Sequence, residues 1–188
     1  MFCRRAHVGL LACVLTVGVT LGAGGGEGLK SGWVPKLTGW VNDTANILSS
    51  VDRDRISESL RNYERETHHQ IVVLIIATLG EDKIETFSLR TANAWGLGQK
   101  GIDDGMLVTL AMKERKVRIE LGTGMERFIS DTEAQAIIDT EMTPAFSKGD
   151  FSGGLEHGVK RLMEEGRRFV VPAKAGPPIS NQIGSELR

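Results

Sequence analysis

Apolar and polar positions follow two different periods along the middle of the chain, and together they predict an α/β domain. Residues 70–78 form a nearly continuous β-branched and apolar run, which is typical of a strand covered on both faces. Residues 106–111 form a second run of this kind. Residues 116–121 instead alternate strictly between polar and apolar, which predicts a strand buried on one face only and near a sheet edge.

Helical spacing of apolar residues marks the segments between and after these strands. A helix that includes Ile84 and Trp95 ends at Gly96, a residue type favoured at helix C-termini. The other helices follow residues that are good N-caps, namely Ser49, Ser130 and Asp150. Ser49 with Asp52, and Ser130 with Glu133, have the spacing of a capping box.

The predicted order of elements is α, β, α, β, β, α, α. Two buried strands joined through a helix make a βαβ unit, so these strands should be parallel. A polar turn at residues 113–115 then returns the chain as an antiparallel hairpin strand. The fold class expected is α/β, a small mixed and mostly parallel sheet with helices on both faces, which is an α/β/α sandwich.

The first 23 residues have the layout of a signal peptide, with Arg4 and Arg5 before an uncharged, mostly apolar stretch. An uncleaved signal anchor is the alternative. Cleavage would remove both cysteines, and it would leave 21 basic against 24 acidic residues, because 23 minus the two arginines is 21. The expected localisation is therefore periplasmic or secreted, for a soluble protein with no integral membrane span after signal removal.

The rest of the chain divides into a linker, a domain and a tail. Residues 24–36 are Gly-rich and lack periodicity, which predicts a linker. Residues 37–171 carry the periodic segments and form the expected domain. Residues 172–188 contain prolines and small polar residues, which predicts a disordered tail.

Composition excludes several function classes. A formal net charge of -1 provides no global field for nucleic acid, and the 5% of aromatic residues provides little for base stacking. Residues 96–101 read G-x-G-x-x-G, but a dinucleotide fingerprint needs a strand before it and a helix after it. Here the predicted order is the reverse, so no nucleotide site is expected.

Three aspartates are the candidate metal ligands: Asp43, Asp103 and Asp104. Oxygen-only ligands suit Ca²⁺ or Mg²⁺ rather than zinc. The alternative is that these residues are solvated turn aspartates and caps. His68 and His69 precede the first strand, and neighbouring strand residues point to opposite faces, so a shared metal is not expected there.

Several motifs resemble one known family, the TPM domain. They are Val41-Asn42-Asp43, Trp95-Gly96-Leu97-Gly98, Asp104-Gly105-Met106-Leu107, the run from Arg115 to Glu126, and Pro144-x-Phe146-x-x-Gly149-Asp150-Phe151. The resemblance covers about residues 37–165, in the family's order. The chain is similar to domains of a thylakoid-lumen phosphatase-like protein, a photosystem II repair factor and an acetylcholine-receptor modulator.

The resemblance implies an α/β/α sandwich in an exported setting, with Ca²⁺ as the expected ion because some members are Ca²⁺ binders. The expected function is an accessory or interaction module of the cell envelope that supports a membrane-protein complex. The alternative is a weak, metal-assisted acid phosphatase. By position, Asp43, Asp104 and Glu126 match acidic residues of the family's motifs. A transmembrane helix and Gly-rich tail, present in many bacterial members, are not apparent in this sequence.

Overall fold

The computed structural model describes residues 32–169, which form a four-stranded sheet with helices on both faces. The elements are β1 (Val41–Asp43), α1 (Ser50–Thr67), β2 (Ile71–Ile76), α2 (Ile84–Trp95), β3 (Met106–Ala111), β4 (Lys116–Leu121), α3 (Asp131–Ile137), a π-helical turn (Ile138–Met142), α4 (Thr143–Phe146) and α5 (Phe151–Gly166). The predicted signal peptide and tail lie outside the described residues. Among the helices in residues 32–169, none has the length and apolar character that a membrane crossing requires.

The strand order is β1-β2-β3-β4, with the first three strands parallel and β4 antiparallel to β3. This confirms the predicted mixed sheet with a βαβ unit and a hairpin strand. Every residue of β2 and β3 is buried, as expected for continuous apolar runs. Alternate side chains enter two separate cores: Val73 and Val108 face the layer of α1, α3 and α5, whereas Val72 and Leu107 face α2.

The two crossovers of the parallel strands have opposite hands. Strands β1, β2 and β3 lie side by side in chain order and run in one direction, yet α1 and α2 cover opposite faces of the sheet. One of the two βαβ units therefore departs from the right-handed rule that governs nearly all such connections.

Most predicted boundaries and caps agree with the structure. The Ser49 hydroxyl accepts a hydrogen bond from the Asp52 amide at 3.1 Å, and Ser130 forms a complete capping box with Glu133. Gly96 adopts a left-handed conformation after Trp95, with φ of 60°. These local signals are read correctly from sequence because each needs only residues that are close in the chain.

Three elements were not predicted: β1, the π-helical turn and α4. β1 is only three residues long and exists through its pairing with β2, so it has no periodicity of its own. The π-helical turn and α4 lie between α3 and α5, where the predicted order has no further element. A single-turn π segment has no strong composition signal, and it forms where packing requires an extra residue in the helix.

The prediction that β4 is buried on one face only is wrong for most of the strand. Arg118 and Glu120 lie on the polar face, yet they are 4% and 1% exposed because α2 packs against this strand. The Arg118 Nε donates to the Glu120 carboxylate at 2.5 Å. Alternation of charged residues therefore marked a buried ion pair here, not a solvated face.

Part of the predicted linker belongs to the folded domain. The Trp33 ring lies 6.2 Å from that of Phe87, and the Trp95 indole donates to the Pro35 carbonyl at 2.8 Å. Trp95 itself is buried in the core, at 8% exposure. The packed domain thus includes residue 33, four residues before the predicted start at residue 37.

Candidate functional site

The structure does not bring the three predicted metal ligands together. Asp43 is the last residue of β1 and is in register with Ile75 of β2. Asp103 and Asp104 precede β3, at the opposite side of the sheet, where the parallel strands begin. We call this side the amino edge of the sheet, and the side where the parallel strands end the carboxyl edge. Ile75 is level with Leu110, six residues beyond Asp104, and six residues of strand span about 20 Å. Residues 32–169 contain no group of three His, Cys, Asp or Glu side chains placed to hold a metal ion. A joint Ca²⁺ site for these aspartates does not fit this geometry.

Asp43 organises the connection into α1. Its Oδ2 accepts a hydrogen bond from the Leu48 amide at 2.9 Å, which closes the loop between β1 and the helix. The residue is half-buried, and its Oδ1 has no hydrogen-bond partner within the described part of the chain. This role is that of a loop-closing carboxylate at the carboxyl edge of the sheet.

Asp104 is fully buried, which overturns the alternative that it is a solvated turn aspartate. Its Oδ1 accepts from the Gln99 amide at 2.6 Å. Its Oδ2 accepts from the Gln99 side chain at 3.1 Å and lies 2.9 Å from His69 Nδ1. A carboxylate with three such donors is engaged in holding the loop of residues 96–105 against the amino edge of the sheet.

His69 is the second member of this buried pair. Its Nδ1 faces the Asp104 carboxylate, and its Nε2 lies 2.8 Å from the Phe169 carbonyl oxygen. Both ring nitrogens are therefore within hydrogen-bond distance of an oxygen atom. The Phe169 ring also stacks on the imidazole at 4.9 Å and on Phe128 at 4.4 Å. The pair therefore links the end of α5 to the start of β2 and β3.

His68 and His69 both precede β2, as predicted. His68 is the C-cap of α1 in the left-handed region, with φ of 65°. The role of His69 had a weak signal in the sequence, namely a titratable residue directly before a buried strand. Its partner, 35 positions further along, could not be found without the fold.

Close backbone contacts explain the glycines of this edge. A Cβ on Gly98 would lie 2.4 Å from the Gly105 amide nitrogen, and a Cβ on Gly122 would lie 1.9 Å from the Asp103 carbonyl oxygen. Side chains at these positions would separate the loop from β3 and from the segment after β4. The G-x-G-x-x-G pattern is thus a structural crossover, with a helix before it and a strand after it as predicted.

A surface crevice of about 350 Å³ opens beside this loop. Asp103 and the exposed Arg127 both line it, together with Thr123, Phe128 and Phe169. Asp103 itself adopts φ of 56°, and its carboxylate lies 3.4 Å from the Thr123 hydroxyl. A carboxylate and a guanidinium therefore line the same open crevice, which we call the amino-edge crevice.

A second opening lies at the other edge of the sheet, between the β3–β4 hairpin and the π-helical turn. Its volume is about 280 Å³. We call it the hairpin pocket, and its apolar wall contains Met112, Val117, Ile138, Phe146 and Phe151. No sequence pattern indicates this pocket, because its shape depends on the π turn and on where α5 begins relative to β4.

A third and larger groove, about 530 Å³, runs between α3 and α5. Its charged lining residues pair with one another along α5: Arg161 and Arg168 both contact the Glu165 carboxylate. Glu165 is buried, so the two arginines serve to compensate the charge of a buried carboxylate within the fold. The amino-edge crevice and the hairpin pocket are therefore the better candidates for a functional site.

The fold and these openings define a class of protein, an α/β/α sandwich domain with a mixed four-stranded sheet and a surface opening at each end of its strands. The chain belongs to the TPM domain family, which matches residues 41–165. The family resemblance and its implied fold are thereby confirmed. A comparison with curated proteins gave no match.

Solved structures share this fold. The N-terminal domain of a protein from P. gingivalis is 29% identical, with a TM-score of 0.61 over 68% of this chain and 82% of that chain. The BA42 protein from the psychrophilic bacterium Bizionia argentinensis is 16% identical, with a TM-score of 0.61 over 72% and 94% of the two chains. The N-terminal domain of cg2496 from Corynebacterium glutamicum is 16% identical, with a TM-score of 0.56 over 80% and 94%.

Proposed function

We propose that this protein is an exported, non-catalytic interaction module of the cell envelope, which supports a membrane-protein complex by binding one of its protein components. The observation that carries the proposal is the hairpin pocket, an apolar opening at the surface with two phenylalanines in its wall. Apolar pockets of this kind, rimmed by polar residues, are typical of binding surfaces.

The placement of the carboxylates supports the same proposal. Asp104 is saturated by donors from Gln99 and His69, and Asp43 closes a loop on the opposite edge of the sheet. Neither carboxylate has the open approach that a nucleophile or a metal-bound group needs. Binding, rather than chemistry at these aspartates, is the function that the geometry favours.

Site-specific cross-linking tests this proposal. A photo-reactive amino acid at Lys116, on the rim of the hairpin pocket, should capture a membrane-complex component in the native envelope. The same group at exposed Lys160 on α5 is the control, because it lies in a different groove. Recovery of the protein without any specific adduct at Lys116 would contradict an interaction role for this surface.

A second candidate function is hydrolysis of phosphomonoesters, and the amino-edge crevice is the observation that favours it. Arg127 would bind phosphate oxygens there, and Asp103 would supply the carboxylate. Purified protein should then hydrolyse p-nitrophenyl phosphate, and Arg127→Ala and Asp103→Asn should each abolish the activity. Activity that survives both substitutions would show that a contaminant or another site is responsible.

A further inference from the structure

The size of the hairpin pocket limits what it can hold. Sites for small molecules and cofactors generally enclose about 300–1,000 Å³. The hairpin pocket measures about 280 Å³, just below that range. This volume accommodates one large apolar side chain, which is the form in which protein partners insert anchors into a surface.

The wall of the pocket is suited to such an anchor. Phe146 and Phe151 lie with their ring centroids 5.7 Å apart, and both are only partly buried. Val117 and Met112 form the opposite side, at the ends of the hairpin strands. An aliphatic or aromatic side chain placed between them would remove these apolar surfaces from water.

The π-helical turn shapes the pocket. Ile138, Asp139 and Thr143 all line it, and they lie within or directly after the turn. An additional residue in this helical segment changes the direction in which following side chains point, and such insertions are frequent at functional sites. The turn therefore places one acidic and one hydroxyl group at the rim of an apolar opening.

Positive charge dominates the hairpin beside the pocket. Arg115 and Lys116 line the rim, and Lys113 lies exposed at the tip of the same hairpin. The one acidic residue of the tip, Glu114, is directed elsewhere, with its carboxylate accepting from the Thr78 hydroxyl at 2.7 Å and the Leu79 amide at 3.1 Å. Within the lining of the pocket, Arg115 and Lys116 lie with a single acid, Asp139, and this excess of positive charge favours an acidic partner.

We infer that the hairpin pocket binds a protein segment with one large apolar anchor residue flanked by Asp or Glu. The anchor enters between Phe146, Phe151 and Val117, and the flanking carboxylates meet the cations of the hairpin. This inference rests on the proposed interaction function and names the chemistry of the partner. A lipid surface is a poorer match, because the cations lie beside a concave opening that also has the carboxylate of Asp139 in its lining.

Short peptides test the chemistry directly. The purified, 15N-labelled protein is titrated with Ac-Glu-Asp-Phe-Asp-Glu-amide, with the same peptide carrying Ala for Phe, and with one carrying Lys for all four acids. We expect saturable amide shifts at residues 112–117 and 138–143 with the first peptide. Each altered peptide should bind at least tenfold more weakly. Equal responses to all three, or no shifts at millimolar peptide, would overturn the inference.

Matched variants locate the contact. Lys116→Glu reverses a charge on the rim, and Lys113→Glu makes the same change on the same hairpin outside the pocket lining. Lys116→Glu should weaken binding of the acidic peptide severalfold more than Lys113→Glu. Thr143→Trp should fill the opening and abolish binding while the remaining amide spectrum stays folded. Similar losses for both lysine variants would indicate a diffuse charge effect and contradict a pocket.

Two further outcomes separate this inference from the function on which it rests. The cross-linker at position 116 is tested with and without the Thr143→Trp substitution. If both proteins capture a partner in the envelope equally well, the pocket inference fails and the interaction function stands. If no partner is captured at all, the proposed function fails. Pocket-dependent binding to phosphatidylglycerol vesicles, with no response to the peptides, would also overturn the inference in favour of a lipid surface.

Discussion

Asp103 and Asp104 are neighbours in the chain, but their surroundings differ completely. Asp104 is fully buried with three hydrogen-bond donors around its carboxylate, whereas Asp103 is half-buried at the edge of a crevice. A pair of carboxylates in a glycine-rich loop suggested a common role in binding a cation. Asp104 instead stabilises the loop through its hydrogen bonds, and only Asp103 is accessible to a ligand.

Asp104→Asn should lower the free energy of unfolding by about 3 kcal/mol, because it weakens the pairing with His69. The new side-chain NH2 group would also face the N–H donors of Gln99 or His69. Urea unfolding followed by circular dichroism measures this loss. Asp103→Asn is the matched control and should cost less than about 1 kcal/mol, since Asn tolerates the positive φ of this position. Equal losses for the two variants would contradict the assignment of Asp104 as the structural residue.

Glu120 carries a pH dependence that follows from its burial. Burial raises the pKa of Glu120, Arg118 opposes this rise, and Asp131 and Glu126 add to it. A carboxyl group with a raised pKa binds more protons in the folded than in the unfolded state. Its contribution to stability is therefore fully present below the ordinary value of 4.5 and is lost as the pH rises through the folded value.

Glu120→Gln should remove this dependence. We expect the free energy of unfolding of the unmodified protein to fall, relative to that of the variant, as the pH rises from about 4.5 toward neutrality. Urea midpoints at a series of pH values provide the measurement. Glu126→Gln is a useful companion, because partial burial and Asp131 also raise the pKa of Glu126. A constant difference between the unmodified protein and Glu120→Gln over this range would contradict the account.

At the scale of elements, glycines determine how α5 packs. A Cβ on Gly158 would lie 2.1 Å from the Met142 Cε, and one on Gly154 would lie 2.5 Å from the Phe146 ring. The glycines thus admit the π turn and α4, which in turn form the wall of the hairpin pocket.

Gly158→Ala should destabilise the protein by about 1–3 kcal/mol through overpacking, despite a gain of about 1 kcal/mol in helix propensity. Thermal and urea unfolding measure the net effect. Lys160→Ala on the exposed side of α5 is the control, with an expected change within about 0.5 kcal/mol. A more stable Gly158→Ala protein would mean that Met142 moves aside without cost.

At the scale of the whole molecule, the segment before β1 closes one of the two cores. Trp33, Val34 and Leu37 pack on the layer that contains α2, and the Pro35 carbonyl satisfies the Trp95 indole. Residues 33–36 lie within the region expected to be a linker. Its glycine-rich start and lack of periodicity masked a short apolar segment whose partner is a helix some 50 to 60 positions later.

A chain that starts at residue 37 should be less stable than one that starts at residue 32, by about 3 kcal/mol. The reason is the loss of the Trp33 contact and an unpaired indole N–H on Trp95. Urea unfolding of the two chains, with Trp33→Ala as an intermediate case, measures the difference. Equal midpoints would place the true start of the domain at residue 37.

The sequence by itself determined the parts of this molecule that depend on nearby residues. The bounds of β3 and β4, the N-caps at Ser49, Ser130 and Asp150, and the left-handed Gly96 follow from local patterns. The motifs that the chain shares with TPM domains can also be recognised without any three-dimensional information, and they identified the family.

Tertiary structure decided where distant residues meet. Apolar periodicity shows that a helix buries one face, but not which side of the sheet it covers, so it could not reveal that α1 and α2 lie on opposite faces. The same applies to the sites. The pairing of His69 with Asp104, the separation of Asp43 from both other aspartates, and the hairpin pocket all result from contacts across more than 20 positions, which packing selects and local sequence does not encode.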